Sequence, residues 1–93
     1  MTYTVPPRLA WQVDEEQDEL VVYLMRLPNG EPVALEGVAA LIWVAAVEGE
    51  EAVSIVAQAT GESREDIEPA VVDYLGELVE IGHLRRVQDG GQG

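Results

Sequence analysis

The sequence predicts an α+β domain in which a three-stranded antiparallel sheet is followed by three helices. Three observations predict it. Up to Leu35 the chain shows the two-residue alternation and the β-branched or aromatic runs of strands. After Gly37 the apolar residues recur at three- and four-residue intervals instead. Breaks at Glu48-Gly49 and Thr60-Gly61 divide that second half into three helical stretches.

The first strand is Arg8 to Asp14, where Leu9, Trp11 and Val13 alternate with more polar neighbours. Residues 14–19 are too charged to be buried and read as a solvated connection. The second strand, Leu20 to Met25, is apolar on both faces and suits the centre of the sheet. Asn29-Gly30 then signals a hairpin, because both residue types tolerate the positive φ of a type I′ turn. The third strand, Pro32-Val33-Ala34-Leu35, starts with a proline, which is typical of a sheet edge where one N–H row is unpaired.

The first helix covers Val38 to Val47, with Val38, Leu41, Ile42 and Ala45 on one face. Glu51 to Thr60 forms the second and stops at Gly61. Ser63-Arg64-Glu65-Asp66 has the form of a capping box with aspartate in the glutamate position. It opens a third helix on which Ile67, Val71, Leu75 and Leu78 form the buried arc, with Pro69 in its early turns and Gly82 at its end. Residues 83–87 read as a returning extended piece. The expected organisation is a flexible arm over residues 1–7, one domain over 8–87 and a disordered glycine-rich tail over 88–93. Strands first and helices second is the order of a winged-helix relative.

Charge excludes more than any other bulk property. Eighteen acidic residues against five basic ones give a net charge of −13 over 93 residues, and all five basic residues are arginines. Such a chain repels polyanions and steers basic segments toward itself, so a winged-helix DNA-binding regulator is the disfavoured alternative. Its recognition helix would need cations facing phosphate, and residues 62–80 offer only Arg64. No cysteine is present, which excludes disulfides and thiolate metal sites and fits a cytoplasmic protein. The start of the chain lacks a basic, apolar secretion signal, and the longest apolar run, Val38 to Val47, is half a membrane span. The expected protein binds neither membrane nor nucleic acid.

Residues able to do chemistry are sparse. The chain has no lysine, so neither a phosphate-binding loop of the Gly-Lys-Ser/Thr type nor a Schiff base is available. The single histidine, His83, follows Gly82 at a helix end, where imidazoles cap carbonyls or face solvent. Ser63 stands at a helix start, as a phosphopantetheine-bearing serine would, but the strand-rich first third is wrong for an acyl carrier. The acids are not set at calcium-loop spacing. Trp11, Trp43 and Met25 read as core. The expectation is a non-enzymatic chain with no cofactor and no metal.

A geometric feature remains. Val33, Ala34 and Leu35 form an edge that little blunts beyond Glu31, Pro32 and Glu36, and an open edge invites an added strand. Beside the third helix's buried arc, Asp66, Ala70, Asp73, Tyr74 and Glu77 form a flank of one small, one aromatic and three acidic residues. If that flank lines a groove beside the third strand, it suits an apolar side chain near Ala70 and Tyr74 and a basic one near the acids. The other reading of the same residues is an ordinary solvated helix face. Replacing Leu35 by proline is expected to weaken strand addition by removing an N–H.

Four stretches carry a family resemblance: Leu35-Glu36-Gly37-Val38-Ala39-Ala40-Leu41-Ile42-Trp43, then Glu48-Gly49 and Ile55-Val56, and finally residues 74–84, Tyr-Leu-Gly-Glu-Leu-Val-Glu-Ile-Gly-His-Leu. Over residues 8–87 the chain resembles the PqqD-like recognition elements for ribosomally made precursor peptides, above all the free-standing ones of lasso-peptide pathways. The resemblance implies a sheet packed on three helices, with a precursor's leader adding a strand at Val33, Ala34 and Leu35 and lying against Asp66, Ala70, Asp73, Tyr74 and Glu77. It also implies separate partner enzymes, a leader peptidase and a macrolactam-forming cyclase. Quinone-cofactor pathways, served by a radical SAM enzyme, fit the acidity of this chain less well.

Overall fold

The computed structural model describes residues 2–16 and 19–87. Eight elements follow in order: β1 (Thr2–Thr4), β2 (Leu9–Glu16), β3 (Glu19–Arg26), β4 (Val33–Glu36), α1 (Val38–Val47), α2 (Ala52–Thr60), α3 (Arg64–Glu80) and β5 (Arg85–Val87). β2, β3 and β4 make an antiparallel sheet with β3 in the middle. The first strand runs on through Glu16, because an edge strand needs only one buried face and even on that face Glu15 stays at the surface.

The register fixes two sheet faces. Leu9, Trp11 and Val13 share a face with Leu24, Val22 and Leu35, and α1 packs on that face over β3 and β4. Val22 and Leu24 lose nearly all their exposure there. α1 is apolar around its circumference because it lies between the sheet, β1, α2 and α3, and a helix enclosed on all sides has no polar stripe to keep. Its Trp43 is 1% exposed, and the indole Nε1 donates to the carbonyl of His83 at 2.9 Å. Ser63 caps α3 as the sequence predicts, its hydroxyl accepting from the Asp66 amide at 3.3 Å. The Arg64 guanidinium ties that end to α2, bonding both oxygens of Glu51, at 2.8 and 2.7 Å, and the Ser54 hydroxyl.

Several expectations are corrected. Where the sequence reading places a flexible arm over residues 1–7, Thr2–Thr4 pair antiparallel with Arg85–Val87. Three residues are too few for a periodicity signal, and their partner lies at the other end of the chain. Tyr3 packs against the core, with the Arg86 guanidinium 6.0 Å from its ring centroid. Met1, residues 17 and 18 of the expected solvated connection, and the 88–93 tail fall outside the described residues.

β3 and β4 do form a hairpin, but the tight Asn29-Gly30 turn expected between them is corrected. β3 ends at Arg26 and β4 starts at Val33, so Asn29 and Gly30 sit inside a longer connection that includes a cis Leu27–Pro28 bond, and Gly30 does not have positive φ. Gly30 is needed for close approach instead: its amide donates to Arg26 O at 2.7 Å, and a Cβ would lie 2.5 Å from that oxygen.

Three supposed core or surface side chains are reversed. Trp11 is 50% exposed, because β2 lies beyond the helical cover; its ring is tilted against Trp43 with centroids 5.4 Å apart. Met25 faces outward on the uncovered side of the sheet. His83 is buried at 8% exposure, drawn in where its carbonyl meets Trp43.

Candidate functional site

The ladder bonds decide which backbone groups of β4 are free. Leu27 N donates to Arg8 O at 2.8 Å, which marks residues 8 and 27 as a hydrogen-bonded pair. Antiparallel pairs alternate between bonded and non-bonded, so Ala10–Met25, Gln12–Tyr23 and Asp14–Val21 are bonded as well. Val22 and Leu24 therefore direct their bonds to Leu35 and Val33 of β4. Ala34 and Glu36 are left pointing outward, away from β3, along an edge that no other described strand occupies. Leu35 thus does not present its N–H to a guest, and its side chain is buried at 8% exposure. Proline at Leu35 breaks the protein's own ladder, which corrects the expectation attached to that residue.

Gly37 turns the chain from this edge into α1 at φ 61°, a left-handed conformation that a side chain disfavours. The turn places Val38 at the head of a shallow groove of about 380 Å³ between α1, the end of α2 and α3. Val38, Ala39 and Ile42 line one wall; Ile67, Ala70, Val71 and Tyr74 line the other, and Val56 with Thr60 closes an end. Val38 is 43% exposed, although its pattern position is that of a core residue.

Of the helix-flank candidates, Ala70 and Tyr74 line this groove. Asp66, Asp73 and Glu77 are exposed on α3 outside its lining, while Glu62 stands at the rim in a position the sequence reading passed over. Tyr74 is partly buried, and burial first, then the neighbouring Glu77 carboxylate, pushes its phenol above its ordinary value. Its hydroxyl keeps its proton at neutral pH and stays a donor. Val38, Ala39, Ile42 and Val56 were missed because periodicity tells which side of a helix is apolar and not whether that side is filled.

Among the described residues no group of three histidines or acids could hold a metal ion. His83 Nδ1 is buried without a hydrogen-bond partner, and burial first, then Arg26, lowers its pKa. No described helix is long and apolar enough to cross a membrane.

The architecture has a solved counterpart: the structure of TbiB1 in complex with the TbiA(beta) leader peptide aligns with 92% of this chain and 99% of its own, at a TM-score of 0.69 and 22% identity. The chain has the TbiB1 fold. No protein-family model and no curated protein sequence matches it. A sheet of three antiparallel strands followed by three helices is the architecture that the PqqD-like resemblance implies, and the TbiB1 fold carries it over nearly the whole chain.

Proposed function

We propose that this chain binds the leader segment of a ribosomally made precursor peptide by strand addition to β4 and presents it to separate maturation enzymes. The observation that carries the reading is a juxtaposition. The outward backbone of Ala34 and Glu36 runs into an apolar groove that begins two residues later at Val38. A guest strand gains main-chain bonds at the edge and a pocket for alternate side chains in the groove. The TbiB1 structure, with its bound leader peptide, supports the same use of this fold.

An apolar guest side chain would enter between Val38, Ala70 and Tyr74. Glu62, Asp66, Asp73 and Glu77 around it, in a chain of net charge −13, favour a guest with basic residues. The chain itself performs no catalysis in this scheme; a leader peptidase and a macrolactam-forming cyclase of a lasso-peptide pathway act on what it holds. Titrating a fluorescently labelled precursor leader peptide, by anisotropy, tests the reading. Saturable binding that weakens as salt rises is the expected result, and no binding at any protein concentration would reject it.

A further inference from the structure

The opposite edge of the sheet takes no part in the proposed peptide capture. β2 pairs only with β3 among the described residues, and the ladder parity that turns Ala34 outward on β4 turns Leu9, Trp11, Val13 and Glu15 outward on β2. The Leu9 amide is satisfied by Pro6 O at 3.1 Å. Trp11, Val13 and Glu15 keep outward N–H donors, on a strand twice as long as β4 and bearing two exposed apolar side chains, Trp11 and Val13. A long apolar edge of this kind is a template for pairing with another chain.

We propose that the chain self-associates into a two-fold dimer by antiparallel pairing of β2 with β2 of a second copy, centred on Gln12. An isologous contact needs a self-complementary strand, and β2 is one. Centring on Gln12 sets Trp11 opposite the partner's Val13, so these outward-directed residues meet in fully bonded pairs, while Leu9, its amide already held by Pro6 O, offers its carbonyl to the amide of the partner's Glu15. Trp11 and Val13 lie on the same sheet face, and each covers the other's exposed surface across the seam.

Charge selects this register. Arg8 precedes the strand at one end, and Asp14 and Glu15 lie toward the other. Antiparallel pairing about Gln12 brings Arg8 diagonally against the partner's Asp14 on one face, twice by symmetry, and keeps the acids of the two copies at opposite ends. Moving the centre to Trp11 would spend a pairing position on Pro7, which has no N–H; moving it to Val13 would bring the acidic ends together.

The net charge of −13 on each copy opposes association at long range, and salt screens that term while leaving the apolar seam intact. Dimerisation therefore strengthens as salt rises, the reverse of the salt response expected for a basic leader. The β4 edge stays free in both copies.

Sedimentation equilibrium of the full chain, without peptide, tests the proposal. A monomer–dimer equilibrium whose dimer fraction grows with sodium chloride is expected. Val13→Pro removes an outward N–H while leaving the ladder to β3 intact, and gives monomer at every concentration with an unchanged circular dichroism spectrum. Arg8→Glu weakens dimerisation on the order of tenfold, and Arg8→Glu combined with Asp14→Arg restores it. If Val13→Pro fails to fold, the charge-reversal pair decides. A wild-type monomer at all concentrations and salts overturns the proposal, as does a dimer indifferent to the folded Val13→Pro variant or to charge reversal.

Discussion

Replacing Ala34 by proline perturbs the proposed peptide edge and little else. Ala34 directs its N–H away from β3, the ladder to β3 runs through Leu35 and Val33, and the side chain is exposed. Pro32 supplies no donor, so the free N–H groups of this edge are those of Ala34 and Glu36. Proline at Ala34 removes one of the two and leaves a guest carbonyl facing a ring, which costs about 1–3 kcal/mol for an unsatisfied polar group. That converts to roughly 5- to 150-fold weaker leader binding. Ala34→Thr keeps the N–H and raises strand propensity, so its affinity stays within about threefold of wild type. Leu35→Pro instead breaks the ladder to Val22 and lowers Tm. Anisotropy titration of the labelled leader, with circular dichroism melts of each variant, separates these outcomes. A folded Ala34→Pro protein that binds as tightly as wild type refutes strand addition at β4.

Further predictions concern the groove, the core and pH. Ala70→Arg puts a long cation between Val38 and Tyr74 at an exposed helix position; leader affinity falls at least about tenfold while Tm changes little, measured by the same titration and melts. Trp43→Phe deletes the Nε1 donor and strands the buried His83 carbonyl, and destabilises the fold by about 1–3 kcal/mol in urea denaturation. His83 has a folded pKa below its unfolded value, so its neutral form is the stable one. Stability is full above the unfolded value and declines as pH falls through it toward the folded one. The decline begins near pH 6.5, and His83→Gln removes it from a plot of urea midpoint against pH. Glu51 acts lower on the scale: its hydrogen bonds to Arg64, and then to Ser54, hold its carboxyl at about 2 against an ordinary 4.5. Its contribution, present above pH 4.5, is lost as pH falls toward 2, and Glu51→Gln flattens that limb of the same plot.

How much of this was legible in the sequence varies by element. α1 has the predicted ends because the Gly37 turn and the Glu48-Gly49 break bracket a single apolar period. α3 starts where its capping serine says it should, since that signal is local. The β1–β5 ribbon escaped notice because it joins three residues at each end of the chain, and no local pattern reports so distant a pairing. Trp11 and Val13 alternate like core residues, yet α1 packs over β3 and β4 and leaves β2 at the margin; alternation names a face without saying how far its cover extends. At the candidate site, Val33, Ala34 and Leu35 were assigned to an edge strand from Pro32 and the turn before it. Which of them turns its backbone outward depends on ladder parity, which needs the register with β3 and not the composition of the strand. Ala70 and Tyr74 were found by the helical wheel, whereas Val38 and Ile42 were hidden in a stripe that reads as filled core.

Backbone amides of the edge report its use most directly. Hydrogen exchange followed by ¹⁵N NMR, with and without the leader peptide, reads each one separately. Strand addition slows exchange at Ala34 and Glu36, shifts the Val38, Ala70 and Tyr74 resonances, and leaves Trp11 and Val13 unaffected. Protection confined to β2 or to the outer sheet face around Tyr23 and Met25, with Ala34 and Glu36 still exchanging freely, contradicts it.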